Sequence, residues 1–204
     1  MLSADAVIEN NGLLNGGAGG RGGLNSGGGD GGSGIEMLLG GKIINAEAGV
    51  ISGGSGGIGR YNPSSLTTPV PITPGKGGNG VNGADIVVIN AGTISAGSGG
   101  TGSGWTPQSG VAVHFTGGVN ALELWSTSAI NGLVLADGKD DRFILGGVVD
   151  GIFDTGAIGS GQQYDGFEAF EKTGAAVWTL NGSTNAITPW VVSEGIFPSQ
   201  AMIV

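Results

Sequence analysis

The sequence predicts an all-β fold in which short strands stack as a solenoid. Three observations carry this expectation. Short apolar blocks alternate with glycine clusters along the chain, the pattern of strands separated by turns. Glycine supplies 47 of the 204 residues and breaks most windows long enough for an amphipathic helix. One local pattern also occurs twice: residues 43–54 read IINAEAGVISGG and residues 88–97 read VINAGTISAG. Repetition of a local motif favours stacked units, where each contacts its neighbours, over a sandwich, which requires no repetition.

The elements follow in order. Residues 12–34 hold so many glycines that apolar periodicity is lost, and 1–34 reads as a poorly ordered segment or a first irregular rung. Strands are expected at 35–39 (IEMLL), 42–45 (KIIN) and 49–52 (GVIS). A glycine- and proline-rich excursion at 53–84 interrupts the rungs of 35–160, because proline removes a ladder donor. Strands resume at 85–90 (DIVVIN) and 92–95 (GTIS), then at 110–116, 120–127, 130–135, 142–145, 167–170, 176–180 and 190–193. Asn-Gly and Asp-Gly pairs between them supply positive φ at low cost. Ile44 and Ile89 lie 45 residues apart, which fits two turns or one turn carrying the excursion. In a stack, Asn45 and Asn90 are expected to pair their amides, and Ile44 and Ile89 to fill the interior.

Charge and composition narrow the function. Sixteen acidic against seven basic residues give a net charge of −9, and no Lys/Arg cluster exists to bind phosphate. Nucleic acid and anionic membrane surfaces are excluded as partners on that ground. No run approaches the roughly 18 apolar residues of a membrane helix, so no membrane insertion by this chain is expected. Cysteine is absent, so no disulfide framework holds the chain. Residues 1–12 lack the basic and apolar regions of a signal peptide, so an exported parent would contain this chain as a piece.

No residue set predicts catalysis, and no cofactor is expected. His114, the one histidine, alternates with Val111 and Val113 and reads as a strand residue without a nucleophile motif. Asp137, Asp140 and Asp141 form the one group resembling a calcium site, although Lys139 and Arg142 stand among them. A solvated acidic turn is the simpler reading, with a calcium-dependent β-roll as the alternative. Asp150 and Asp154 are the carboxylate pair that a carbohydrate-active β-helix enzyme or tailspike-like domain would use, and read more simply as turn residues. Trp105, Trp125, Trp178 and Trp190 are candidate sugar-stacking surfaces, with interior packing the simpler reading. Alternation with Leu122 and Leu124 turns Trp125 and Glu123 outward.

Residues 161–195 read GQQYDGFEAFEKTGAAVWTLNGSTNAITPWVVSEG. This segment resembles the end of autotransporter passenger domains, pertactin-like proteins with a passenger-associated transport repeat. Tyr164, Gly166, Phe167, Glu168, Phe170, Lys172 and Gly174 match its first element, and Trp178, Leu180 and Gly182 its second. Residues 35–170 resemble the preceding rungs more loosely. The resemblance implies a right-handed parallel β-helix, with 161–204 as the last rungs and a truncated tail. It also implies a non-catalytic stalk or adhesin-like scaffold of a type V secretion system, at the outer membrane and cell surface or secreted. The implied partners are a β-barrel translocator in the parent protein and a host-surface protein or glycan.

Overall fold

The computed structural model describes residues 6–62, 72–102 and 104–196. About 38% of the described residues are strand or bridge, and they contain no α-helix, only a 3-10 turn at Thr155–Ala157. The first sheet contains β1 (Val7–Asn10), β4 (Gly41–Asn45), β7 (Ile86–Asn90), β10 (Ala121–Leu124), β13 (Arg142–Leu145), β16 (Ala169–Lys172) and β18 (Trp190–Val192), in that spatial order. The second contains β2 (Leu13–Asn15), β5 (Val50–Ser52), β8 (Thr93–Ser95) and β11 (Ala129–Asn131). The third contains β3 (Ile35–Met37), β6 (Val81–Gly83), β9 (Val113–Phe115), β12 (Val134–Ala136) and β15 (Tyr164–Asp165). A fourth pairs β14 (Gly151–Asp154) with β17 (Trp178–Asn181). Every strand pairing within these sheets is parallel, and through the first four circuits the chain visits the sheets in turn before returning one strand further along. The architecture is all-β and consistent with a β-helix-like fold.

The register decides between the two spacings open from the sequence. Ile44 pairs with Ile89 and Asn45 with Asn90, so 45 residues make one circuit that includes the excursion. Later circuits are shorter: Asn120 and Asp141 are neighbours at 21 residues' separation.

Asparagine governs which way these strands face. Asn10, Asn45 and Asn90 stack in register, and Asn10 Nδ2 donates to Asn45 Oδ1 at 2.8 Å. Asn45 Nδ2 in turn donates to Asn90 Oδ1 at 2.7 Å. The same amides bond the carbonyls of Gly12, Gly49 and Gly92 at the following corners. Buried amides must be satisfied, and in this ladder each partner supplies what the next lacks. An inward Asn45 places Ile43 inward as well, because strands repeat every second residue. Ile44 and Ile89 are therefore stacked but outward-facing, contrary to the expectation that they fill the interior; Ile43 and Val88 are buried in their place.

A second polar ladder runs along the start of the first sheet. Asn120 Oδ1 accepts from Ile86 N, Asp141 Oδ1 from Asn120 N, and Glu168 Oε2 from Asp141 N, at 2.8–3.0 Å. Each circuit thus satisfies a backbone donor of the circuit before it. Between the ladders lies the apolar core. Its early circuits use Ile43, Ile51, Val81, Val88 and Ile94. Its later ones are aromatic, with Phe143 touching Phe153, Tyr164, Phe167, Phe170 and Trp190 at ring-centroid distances of 4.9–6.2 Å.

The glycine clusters of the 1–34 segment and the 53–84 excursion are linked by hydrogen bonds among the described residues. Each leaves the stack after a strand of the second sheet and returns to one of the third. Gly16, Gly19 and Gly22 donate to Ser52, Ser55 and Ile58 of the next excursion, and Gly53, Gly56 and Gly59 donate to Ser95, Ser98 and Thr101 of the one after. Returning legs repeat this: Gly28, Gly31 and Gly34 donate to Thr73, Lys76 and Asn79. Outgoing and returning legs also bond each other, as in Gly57 to Gly29 and Gly78 to Gly54, each at 2.8 Å. A bonding period of three is that of a polyproline-II-type helix, which has three residues per turn and no internal hydrogen bonds. Its peptide groups point sideways, so legs can bond on several sides and form a lobe beside the stack.

Only glycine fits the middle of that lobe. A Cβ on Gly57 would lie 2.0 Å from the Gly20 carbonyl oxygen, whereas one on Gly20 would meet nothing within 4 Å. Gly57→Ala is therefore expected to lower unfolding free energy by about 1–3 kcal/mol, while Gly20→Ala stays within about 0.5 kcal/mol of the parent. Urea unfolding of the two variants checks this; equal midpoints would contradict close packing of the legs.

Candidate functional site

The three candidate calcium ligands diverge. The buried Asp141 carboxylate accepts from Asn120 N, Asn120 Nδ2 and Gly138 N. Asp137 turns to His114, with Oδ2 to Nε2 at 2.8 Å. Asp140 occupies an exposed turn at φ 60°. Among the described residues no group of three or more His, Cys, Asp or Glu is placed to hold a metal ion. Asp150 and Asp154 bond backbone donors, Asp150 Oδ1 accepting from Val177 N and Asp154 Oδ1 from Gly156 N. Asp154 thereby caps the 3-10 turn.

The residues of the 161–195 motif each meet a packing need. Tyr164, Phe170, Trp178 and Leu180 are buried in the core, and Phe167 packs edge-on against Phe115 and Phe143. Trp178 Nε1 donates to Gly146 O at 3.0 Å. Gly166, Gly174 and Gly182 adopt φ of 91°, 66° and 72°, a region that disfavours side chains. Lys172 lies in the register column of Asn10, Asn45 and Asn90, separated from the asparagine ladder by Leu124 and Leu145. Its fully buried Nζ donates to the carbonyls of Thr173, Gly174 and Glu194, the last two at 2.7 and 3.2 Å. Burial pulls its ammonium below the usual lysine range, and Glu194 offsets part of that.

The outward faces gather a different set. Trp125 follows β10 and is 38% exposed; its Nε1 donates to Glu123 Oε1 at 2.8 Å, which fixes the ring. It lines two depressions. One, of about 300 Å³, is formed with Ile44, Ile89, Ala46, Ala91, Val148 and Val149, and Glu47 at its rim. The other, of about 420 Å³, includes Glu123, Thr173 and Glu194. Alternation in β10 places Trp125 outward from sequence alone. The valines were not foreseeable, because they lie in the corner after β13 and reach Trp125 only through stacking. Trp105 is also exposed, at the far end of a glycine excursion, whereas Trp178 is buried and Trp190 partly so.

Comparison of the chain with protein-family models, with curated proteins and with solved structures finds no match. No helix in the described residues is long and apolar enough to cross a membrane.

Two expectations follow. Asp141→Ala leaves buried backbone donors without an acceptor and is expected to cost about 2–4 kcal/mol, against under about 1 kcal/mol for Asp137→Ala; denaturant midpoints compare them. Burial also pushes the Tyr164 phenol up from 10.0 to about 12. A pKa raised in the folded state gives stability that is complete below pH 10 and is lost as pH rises toward 12. That loss, up to about 2–3 kcal/mol, should vanish in Tyr164→Phe, seen as a smaller fall in Tm between about pH 9 and 11.5. Parallel falls in both proteins would assign the alkaline loss elsewhere.

Proposed function

We propose that this chain is a non-catalytic passenger segment of a bacterial type V autotransporter, a right-handed parallel β-helix serving as a surface stalk or adhesin-like scaffold. The observation that carries the reading is the fit of the 161–195 motif to the end of the stack. Its aromatic residues fill the last circuits around Phe143, and its glycines occupy the positive-φ corners. The parent protein supplies the β-barrel translocator, and the passenger meets a host-surface protein or glycan outside the cell. The physical rationale is vectorial. Stacked circuits contact only their neighbours, so the densest end can template the rest as it emerges. The scattered bonding of Asp137, Asp141, Asp150 and Asp154 also favours a scaffold over a roll or a hydrolase.

The test is display. The full chain is fused behind a signal peptide and ahead of an autotransporter β-barrel, expressed in a Gram-negative host, and detected on intact cells by antibody. The expected result is strong surface signal that is mostly lost when residues 161–195 are deleted, with the barrel still inserted. Failure of the intact chain to reach the surface, or display unaffected by the deletion, would reject the passenger assignment.

A further inference from the structure

We infer that the depression beside Trp125 is a docking site for a cationic peptide segment, an aliphatic or aromatic side chain flanked by Lys or Arg. The inference does not depend on whether the chain is exported.

Its floor is apolar and open. Ile44 and Ile89 stack on the outer face of the first sheet, Ala46 and Ala91 extend them, and Val148 and Val149 close the side. Both valines are exposed, at 74% and 61%. Clustered exposed aliphatics beside a half-exposed tryptophan mark an interaction surface more often than scattered ones do. The ring is held rather than free: Glu123 accepts from its Nε1, and its Cγ lies 3.0 Å from where a Gly147 Cβ would stand. A ring fixed before binding loses little entropy when a partner arrives. The depression's volume of about 300 Å³ is at the lower end of small-ligand sites and suits one large side chain.

Charge selects the flanking residues. Glu47 lines this depression, Glu123 and Glu194 line the adjoining one that shares Trp125 and Val148 with it, and no Lys, Arg or His lines either. Two cations share this sheet face: Lys42 stands two residues before Ile44, outside the lining, and Arg142 is turned to Glu171 at 3.5 Å. The protein's net charge of −9 extends the same field outward. A saccharide would find few free hydroxyl partners here: Ser126 and Thr127 line the depression, Thr127 already donates to Ala91 O, and the remaining lining is mostly Ile, Ala, Val and Trp.

The experiment uses the full chain labelled with 5-fluorotryptophan, with the Trp125 fluorine resonance assigned through Trp125→Phe. The probe is the capped tripeptide Arg-Leu-Arg, compared with capped Glu-Leu-Glu and with cellohexaose. Arg-Leu-Arg is expected to shift the Trp125 resonance saturably, with about tenfold greater apparent affinity than Glu-Leu-Glu at low salt. That preference should shrink in about 0.5 M sodium chloride and in Glu47→Gln/Glu194→Gln. Val148→Lys, at a site exposed enough to leave folding intact, should abolish the shift. No shift with Arg-Leu-Arg, equal shifts with both peptides, or a shift with cellohexaose alone would each overturn the inference.

Discussion

The hydrogen bond from one circuit to the next is the constraint on which this molecule rests. A chain with 47 glycines and few bulky side chains has little else with which to order its backbone. In the sheets that bond is the parallel ladder. At the corners it is the asparagine amide or the carboxylate of Asp141 and Glu168 reaching back to a donor one circuit earlier. In the glycine lobe it is the peptide group itself, aimed sideways at legs above, below and across. All three satisfy the same requirement, that a buried polar group find a partner, with different chemistry.

That shared requirement explains how side chains are distributed. Where strands stack, apolar groups fill the interior, and their size grows from Ile and Val in the early circuits to the cluster around Phe143 in the later ones. Where glycine legs stack, there is no interior to fill, because backbone touches backbone. Excursions of different length nevertheless rejoin the third sheet in register, with Ile35, Val81 and Val113 aligned. Leu14 pairs with Ile51 and Ile51 with Ile94 just before the legs depart, and Ile35 pairs with Val81 just after they return.

Much of this was legible in the sequence. The repeated I-N-A pattern located the strands that pair as β4 and β7 and foretold the amide contact between Asn45 and Asn90. The facing of Ile44 was misjudged because the inward asparagine, not the larger apolar residue, sets the phase of the strand. β1, β2, β6, β14 and β15 lie outside the expected strands, since each is short and sits in or beside a glycine or Asp-Gly stretch where local propensity opposes a strand. Neighbouring circuits override that propensity. The lobe does carry a sequence signal: GGAGGRGG at 16–23 and GGSGGIG at 53–59 repeat every third residue, a period belonging to neither helix nor strand. Of the surface around Trp125, β10 alternation gave the ring's direction. Val148 and Val149 join it only through the length of the circuit between them, which no local pattern encodes.

The backbone-on-backbone packing of the described glycine legs gives the lobe a thermodynamic character unlike that of the stack. Exposing apolar surface raises heat capacity and exposing peptide groups lowers it. Opening the lobe exposes mainly peptide groups, whereas opening the stack exposes Phe, Ile and Val. Cooling weakens apolar association and leaves hydrogen bonding largely intact. On cooling, the stack is therefore expected to lose more of its stabilisation than the lobe.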